Sequence, residues 1–245
     1  MNKKIYSVII KQLAHFFDDP VTRTTNILEL PWKLNEFDAF KSNVILELGV
    51  SASFIGSIEE VVIDLDTKYL EKYFGSIWQP TTEQYTYSGW ALVELINNTN
   101  PTAVLDVGCG YNQFKGKIQN LTGVDPFNVN ADYHTDILDF NGTVLYDHIL
   151  VLGSLNFNEQ KDIEIRLQKI VSLLAPGGKI YCRVNPGIDW SDGPYVDIFA
   201  WDINLIHKFA FELNLEVDTF KHDDNNRYFF IYKKPLFGPI TSYTR

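Results

Sequence analysis

The stretch AVLDVGCG, residues 103–110, decides how this chain is read. Four apolar residues flank Asp106 in a short run of the kind that parallel sheets bury on both faces, and the run opens directly into Gly108-Cys109-Gly110. Open α/β sheets bind ligands at such a loop, at the carboxyl end of a central strand, because a backbone without side chains can approach a ligand closely. A tight strand-to-helix turn is expected there. The next apolar run, LTGVD at 121–125, ends on Asp125, whose carboxylate is placed to accept hydrogen bonds from a ribose diol. Loop and acid together imply a nucleoside-containing cofactor. A dinucleotide fits less well: the third glycine of GxGxxG falls at position 113, where Gln113 would obstruct the close packing beside a pyrophosphate.

Outward from that loop the chain alternates strands and helices. HILVLG (148–153) and KIYCRVN (179–185) are continuous apolar strands, and DIEIRLQKIVSLLA (162–175) between them carries Ile163, Leu167, Ile170 and Leu174 at helical spacing before Pro176-Gly177-Gly178 closes it. This alternation gives an α/β doubly wound sheet. VDIFAWDINLIHKFAFEL (196–213) reads as a helix, and NLEVDTFKHDD and RYFFIYKK, joined through DDNN, as a closing β-hairpin. Upstream, SGWALVELINN (88–98) is a helix that ends before Pro101. Residues 1–84 read as an N-terminal α+β extension: an amphipathic helix over 5–17, two β-branched runs at 43–50 and 59–66 that pair as strands, and a helix ended by Pro80. The domain carrying the glycine loop is expected over 85–245. Within the extension, Gly49 and Asp66 repeat the interval between Gly108 and Asp125, but Ser51 stands where the second loop glycine belongs. That segment reads as coincidence or a structural hairpin, with a degenerate duplicated half as the alternative.

Composition narrows the function. Hydrophobic residues make up 45% of the 245, including 17 Phe, 13 Tyr and 5 Trp, which is enough core material to exclude global disorder. The net charge of -10, without a basic run, repels a phosphate backbone and disfavours nucleic acid as the main partner. Cys109 and Cys182 are too few for a disulfide framework, and without a Cys/His cluster no metal site is expected, so both read as free thiols. The opening MNKKIYSVIIKQLAHFFDD is interrupted by Lys11, Gln12 and His15 and lacks a small-residue cleavage site, and no run approaches the roughly 18 apolar residues of a membrane span. A cytoplasmic protein without membrane contact is the expectation.

The order of motifs resembles the class I (Rossmann-like) S-adenosylmethionine-dependent methyltransferases. The resemblance spans roughly 85–234 and rests on VLDVGCG, the acid Asp125 after the second strand, Asp136 in HTDILDF, the segment YDHILVLGSLNF, the segment LLAPGGKIYCRVNPG and the final hairpin. It implies a mostly parallel seven-stranded sheet with an antiparallel C-terminal hairpin, and S-adenosylmethionine as cofactor. It implies that Asp106 steers the cofactor's amino group, that Gly108, Cys109 and Gly110 make room for its amino-acid end, and that Asp125 holds the ribose. Asp136 would accept from the adenine amine while Ile137 offers a backbone amide, Phe127 would cover the ring, and Leu152, Gly153 and Ser154 would line the sulfonium. Two of these roles have plainer alternatives: a turn cap is the lesser reading of Asp136, and Phe127 reads equally as core filling.

Catalytic residues are harder to read, because methyl transfer asks the protein mainly to align nucleophile, methyl and sulfur. The Asn/Asp-Pro-Pro-aromatic signature of amino-DNA methyltransferases and the Pro-Cys nucleophile of cytosine-ring enzymes are both absent. Candidates are Asn156 by its position after the fourth strand, Asp189 with Trp190 in the Gly/Pro-rich loop after the fifth, and Tyr85 with Tyr87 as a lid. His148, within a strand, reads as a core histidine, and His134 as exposed. The expected acceptor is a small molecule or a protein side chain. The alternative is a non-catalytic binding or assembly module on the same fold.

Overall fold

The computed structural model describes residues 89–157, 159–186, 199–223 and 226–236. Six strands form one sheet in the order β2-β1-β3-β4-β6-β5, with β1 Val104–Val107, β2 Leu121–Val124, β3 Tyr146–Val151, β4 Leu174–Val184, β5 Glu216–His222 and β6 Tyr228–Lys233. The β2–β1, β1–β3 and β3–β4 pairs are parallel, while β6 runs antiparallel to both β4 and β5. The helices are α1 Gly89–Asn97, α2 Gln160–Leu173 and α3 Ile203–Glu212.

Strand alternation builds two cores. Leu105, Val107, Ile149, Val151, Ile180, Cys182, Phe230 and Tyr232 point to one face, where they meet Ile163, Leu167 and Ile170 of α2 and Ile206 and Phe209 of α3. The intervening residues Val104, Leu150, Tyr181, Phe229 and Ile231 meet Leu92 and Ile96 of α1 together with Phe114 and Ile118 on the other face. Burial on both faces explains why the strands are continuous apolar runs. Trp201 is fully buried in the first core, edge-on to Phe199 and Phe209, and its indole N–H donates to the Leu155 carbonyl at 2.8 Å.

Four expectations change. The sheet has six strands among the described residues, not seven: beyond β2 only an isolated parallel bridge, Val124 to Tyr133, stands where another edge strand would run. No helix forms between β1 and β2. The connection turns instead, with Asn112, Gly116 and Asn120 all at positive φ, a conformation that ends helical progress and that Gly and Asn tolerate best. The third helix starts later than its apolar periodicity suggests, because the Asp202 side chain accepts from the Asn204 and Leu205 amides and caps it there. Finally, the segment after α2 enters β4 at Leu174, so Pro176-Gly177-Gly178 lies inside the strand, at the irregular register between Tyr146 and His148. The N-terminal extension, its imitation of the glycine loop and the boundary at 84/85 lie outside the described residues, as do Tyr85, Tyr87, Asp189 and Trp190.

His148 proves to be a satisfied core histidine. The Thr99 hydroxyl donates to the Ile96 carbonyl at 2.7 Å, so toward His148 Nε2, 2.9 Å away, it acts as acceptor. Nε2 therefore carries the proton and Nδ1 accepts from the Tyr181 hydroxyl at 3.3 Å. Burial holds this imidazole below its ordinary pKa, in the neutral form.

Candidate functional site at the carboxyl ends of β1, β2 and β3

β1 delivers Asp106 to the buried side of the sheet and then turns at Gly108, whose φ of +71° only glycine adopts without strain. A Cβ built on Gly108 would lie 2.5 Å from the Cβ of Ser154. This glycine therefore makes room for protein: Ser154 fills the gap and its hydroxyl donates to the Val107 carbonyl at 2.7 Å, tying the end of β3 to that of β1. Gly110 is different. Its φ is +53° and a Cβ there would meet nothing within 4 Å, so the loop presents open space at that residue.

Asp106 is 3% exposed, at the end of β1 beside the glycine loop. Burial, aided by the negative charge of Asp125, pushes its pKa up to about 7. Burial and the acids Asp106, Asp125 and Asp132 likewise push the Cys109 thiol far up, so it is inert packing beside the loop.

Asp125 closes the loop against β2. Its Oδ2 accepts from the Gly110 amide at 3.0 Å and its Oδ1 from the Phe127 and Asn128 amides, both at 2.8 Å. A carboxylate offers about four acceptor sites, so one remains for a ligand. Asp136 is more heavily committed than expected. Arg166 of α2 reaches both its oxygens, at 2.7 and 2.8 Å, and its Oδ1 also accepts from the Leu138 amide. The turn-cap reading holds for this residue, with an ion pair added. Ile137 is buried beside it, and its backbone amide donates to no group among the described residues. Phe127 is half-buried and His134 exposed.

Asn156, nominated as a substrate-orienting residue, is buried, and its Oδ1 accepts from the Asn185 amide at 2.8 Å. Its own carbonyl accepts from the Phe199 amide, and the Asn185 carbonyl from the Trp201 amide. It laces the ends of β3 and β4 to the segment before α3. Leu152 packs partly buried against the α1 core, and Gly153, at φ +128°, turns the chain after β3.

Two supporting residues escaped the sequence reading. Asp132 accepts from Lys115 through both oxygens at 2.8 Å, from the Gly123 amide at 2.8 Å and from Asn112 Nδ2 at 3.3 Å. Burial works against its charge, but those hydrogen bonds outweigh it and hold the carboxyl below its ordinary value. Gly123 in β2 supplies the close approach that position 113 does not: a Cβ there would lie 2.6 Å from Asn112 Oδ1 and 2.8 Å from Cys109 Sγ. The Gly in LTGVD was the visible signal. Among the described residues no group of His, Cys, Asp and Glu is arranged to hold a metal, and no helix is long and apolar enough to cross a membrane.

No family model and no curated protein matches this chain. Solved structures do. The 1,6-didemethyltoxoflavin-N1-methyltransferase of Burkholderia thailandensis, with bound 1,6-didemethyltoxoflavin and S-adenosylhomocysteine, matches at a TM-score of 0.54 and 13% identity over 72% of this chain and 90% of that one. This chain has the class I methyltransferase fold. The N-methyltransferase NodS of Bradyrhizobium japonicum, also with S-adenosylhomocysteine, gives 0.54 at 16% identity over 69% of this chain and 98% of that one. The magnesium protoporphyrin IX methyltransferase of Synechocystis, again with S-adenosylhomocysteine, gives 0.51 at 11% identity over 69% and 99%. Among the described residues the sheet has a parallel centre, an antiparallel C-terminal pair and a single bridge beyond β2.

Proposed function

We propose that this chain is an S-adenosylmethionine-dependent methyltransferase that acts on a small molecule or a protein side chain. The observation that carries the reading is Asp106, an acid buried beside the glycine loop, whose pKa burial and the charge of Asp125 raise to about 7. A cation beside it would relieve both the burial penalty and the repulsion from Asp125, and the methionine end of the cofactor is cationic. Three structural neighbours hold S-adenosylhomocysteine, the demethylated form, which supports the same cofactor here.

The residues present fit this group. Asp106 would hold the ammonium, and the open side of Gly110 would leave room for the amino-acid end. Asp125 keeps one acceptor site for a ribose hydroxyl, the Ile137 amide, which donates to no group among the described residues, would meet the adenine edge, and Phe127 would cover the ring. Leu152, Gly153 and Ser154 would border the sulfonium. Asp136 takes the different role of anchoring the adenine-side loop to α2 through Arg166. When bound, the cofactor supplies a methyl group activated on a sulfonium; the chain's own task is to bind, orient and exclude water.

A second reading, a non-catalytic module on the same fold, draws on Asp125 and Asp136, whose carboxylates already serve internal bonds. Calorimetry separates the two. S-adenosylmethionine and S-adenosylhomocysteine should bind and raise the melting temperature, NAD should do neither, and Asp106→Asn should weaken both sulfur nucleosides. Absence of binding by either nucleoside at saturating concentration would refute the enzyme.

A further inference from the structure

Resting on the methyltransferase reading, we infer that Asn185 positions the methyl acceptor and selects a nucleophile bearing N–H or O–H. Asn185 directly follows β4, at the carboxyl edge of the sheet. The register sets Asp106 beside Leu150 and Leu150 beside Tyr181, and alternation along β4 carries Tyr181, Arg183 and Asn185 to the face that Asp106 shares. Its backbone is fully engaged, donating to Asn156 Oδ1 at 2.8 Å and accepting from the Trp201 amide at 3.1 Å. Its side-chain oxygen is not. Asn185 is 4% exposed, and its Oδ1 is buried with no hydrogen-bond partner among the described residues.

A buried acceptor without a donor costs stability, and such a group in a folded protein calls for an explanation. Asn156, the neighbouring amide at this edge, has its oxygen filled by Asn185, so the unfilled oxygen beside the ends of β3 and β4 belongs to Asn185. The other orphaned amide atoms, on Asn112 and Asn128, lie in the loops flanking β2. An oxygen acceptor at this edge is satisfied by an acceptor molecule that brings its own proton. A thioether or an unprotonated carbon offers none. In the transfer, the acceptor's lone pair forms the new bond to the methyl carbon, the carbon–sulfur bond breaks with its electron pair left on sulfur, and the proton held at Asn185 Oδ1 leaves to solvent.

The test uses the full chain with methyl-labelled S-adenosylmethionine and a small-molecule extract of its source cells, with the labelled atom identified by mass spectrometry and NMR. Label on nitrogen or oxygen is expected; label on sulfur or carbon overturns the proposal. Asn185→Leu should lose at least tenfold of the labelling while binding the cofactor within twofold of wild type, and Asn185→Asp, which keeps an oxygen acceptor, should recover most of it. Without cofactor or extract, Asn185→Leu should melt at or above the wild-type temperature, because an orphaned polar atom has been removed. A Leu variant that labels like wild type, or that melts well below it, overturns the proposal, the latter because Asn185 is then structural. Wild-type protein that binds cofactor but labels nothing overturns it as well, whereas failure to bind cofactor strikes the methyltransferase reading itself.

Discussion

The two halves of the sheet are built by different means. From β3 through β4 and β6 to β5, long strands and two helices bury large side chains, and Trp201, Phe209, Phe230 and Tyr232 interlock in edge-on and tilted pairs. From β1 to β2 the strands are four residues long, and the connection is a series of turns held by side-chain carboxylates on backbone amides. The first half is stabilised by area, the second by hydrogen bonds that freeze a loop. The proposed cofactor site draws on the second half, where backbone amides and buried acids are fixed in place by those bonds.

The comparison breaks most visibly at Trp201. Trp201→Ala removes a fully buried indole and its bond to Leu155, and should cost about 3–5 kcal/mol, read by urea denaturation. A loss below about 1 kcal/mol would mean that the helical half is not held by its core. In the other half the corresponding test is Gly123→Ala, whose added carbon meets Asn112 and Cys109 inside 3 Å. Its expected cost is about 1–3 kcal/mol, with cofactor affinity falling too because the loop that it displaces carries Gly110. Gly110→Ala, which meets no protein atom, should leave stability within about 1 kcal/mol, the strain of its positive φ, while lowering affinity. Equal losses of stability in the two glycine variants would erase the distinction between a packing glycine and a ligand-facing one.

Asp106 sharpens the comparison through pH. Its folded pKa of about 7 lies above the ordinary carboxyl value, so the folded chain holds a proton that the unfolded chain releases. Stability should therefore fall as pH rises from about 4 to 7 and level off above, and Asp106→Asn should melt higher than wild type at pH 8 but not at pH 4. Cofactor affinity should move the opposite way. A cation binds the ionised form, so affinity should weaken as pH drops below 7, by up to about tenfold per unit, and the Asn variant should show no such slope. A wild-type affinity that is flat between pH 5.5 and 8 contradicts the assignment of Asp106 to the ammonium. The smallest effect is expected at Lys179–Asp218, a half-exposed ion pair of 2.8 Å on the hairpin side: Lys179→Ala should cost about 0.2–1 kcal/mol, less in high salt.

The same division governs what could be read from sequence. Strands buried on both faces announce themselves as apolar runs, so β1 to β4 were legible in VLDV, LTGV and their successors, the exposed β5 was legible only through its hairpin with β6, and Gly108, Gly110 and Asp125 were legible as a loop with its acid. The long-range polar bonds were not. Asp136 and Arg166 are thirty positions apart and meet only because α2 crosses the sheet beside that loop. Gly123 was visible as a residue, yet its purpose depends on which side chains lie across from it. The missing crossover helix was signalled by Gly116 and Asn120, and the late start of α3 by Asp202, but apolar periodicity through Trp201 masked the cap.

The bridge at Tyr133 has a consequence for β2 as an edge. Asn120 and Val124 turn their carbonyls toward β1, so Leu121, Gly123 and Asp125 turn their backbone groups outward. Lys115 takes the Leu121 carbonyl, Asp132 takes the Gly123 amide, and Tyr133 takes the Gly123 carbonyl and the Asp125 amide. An incoming strand would find these four rungs already occupied, two of them by charged side chains that do not propagate a ladder. This edge thus works as a stopper: extension of the sheet along β2 by a neighbouring strand is disfavoured by the same bonds that hold the glycine loop in shape.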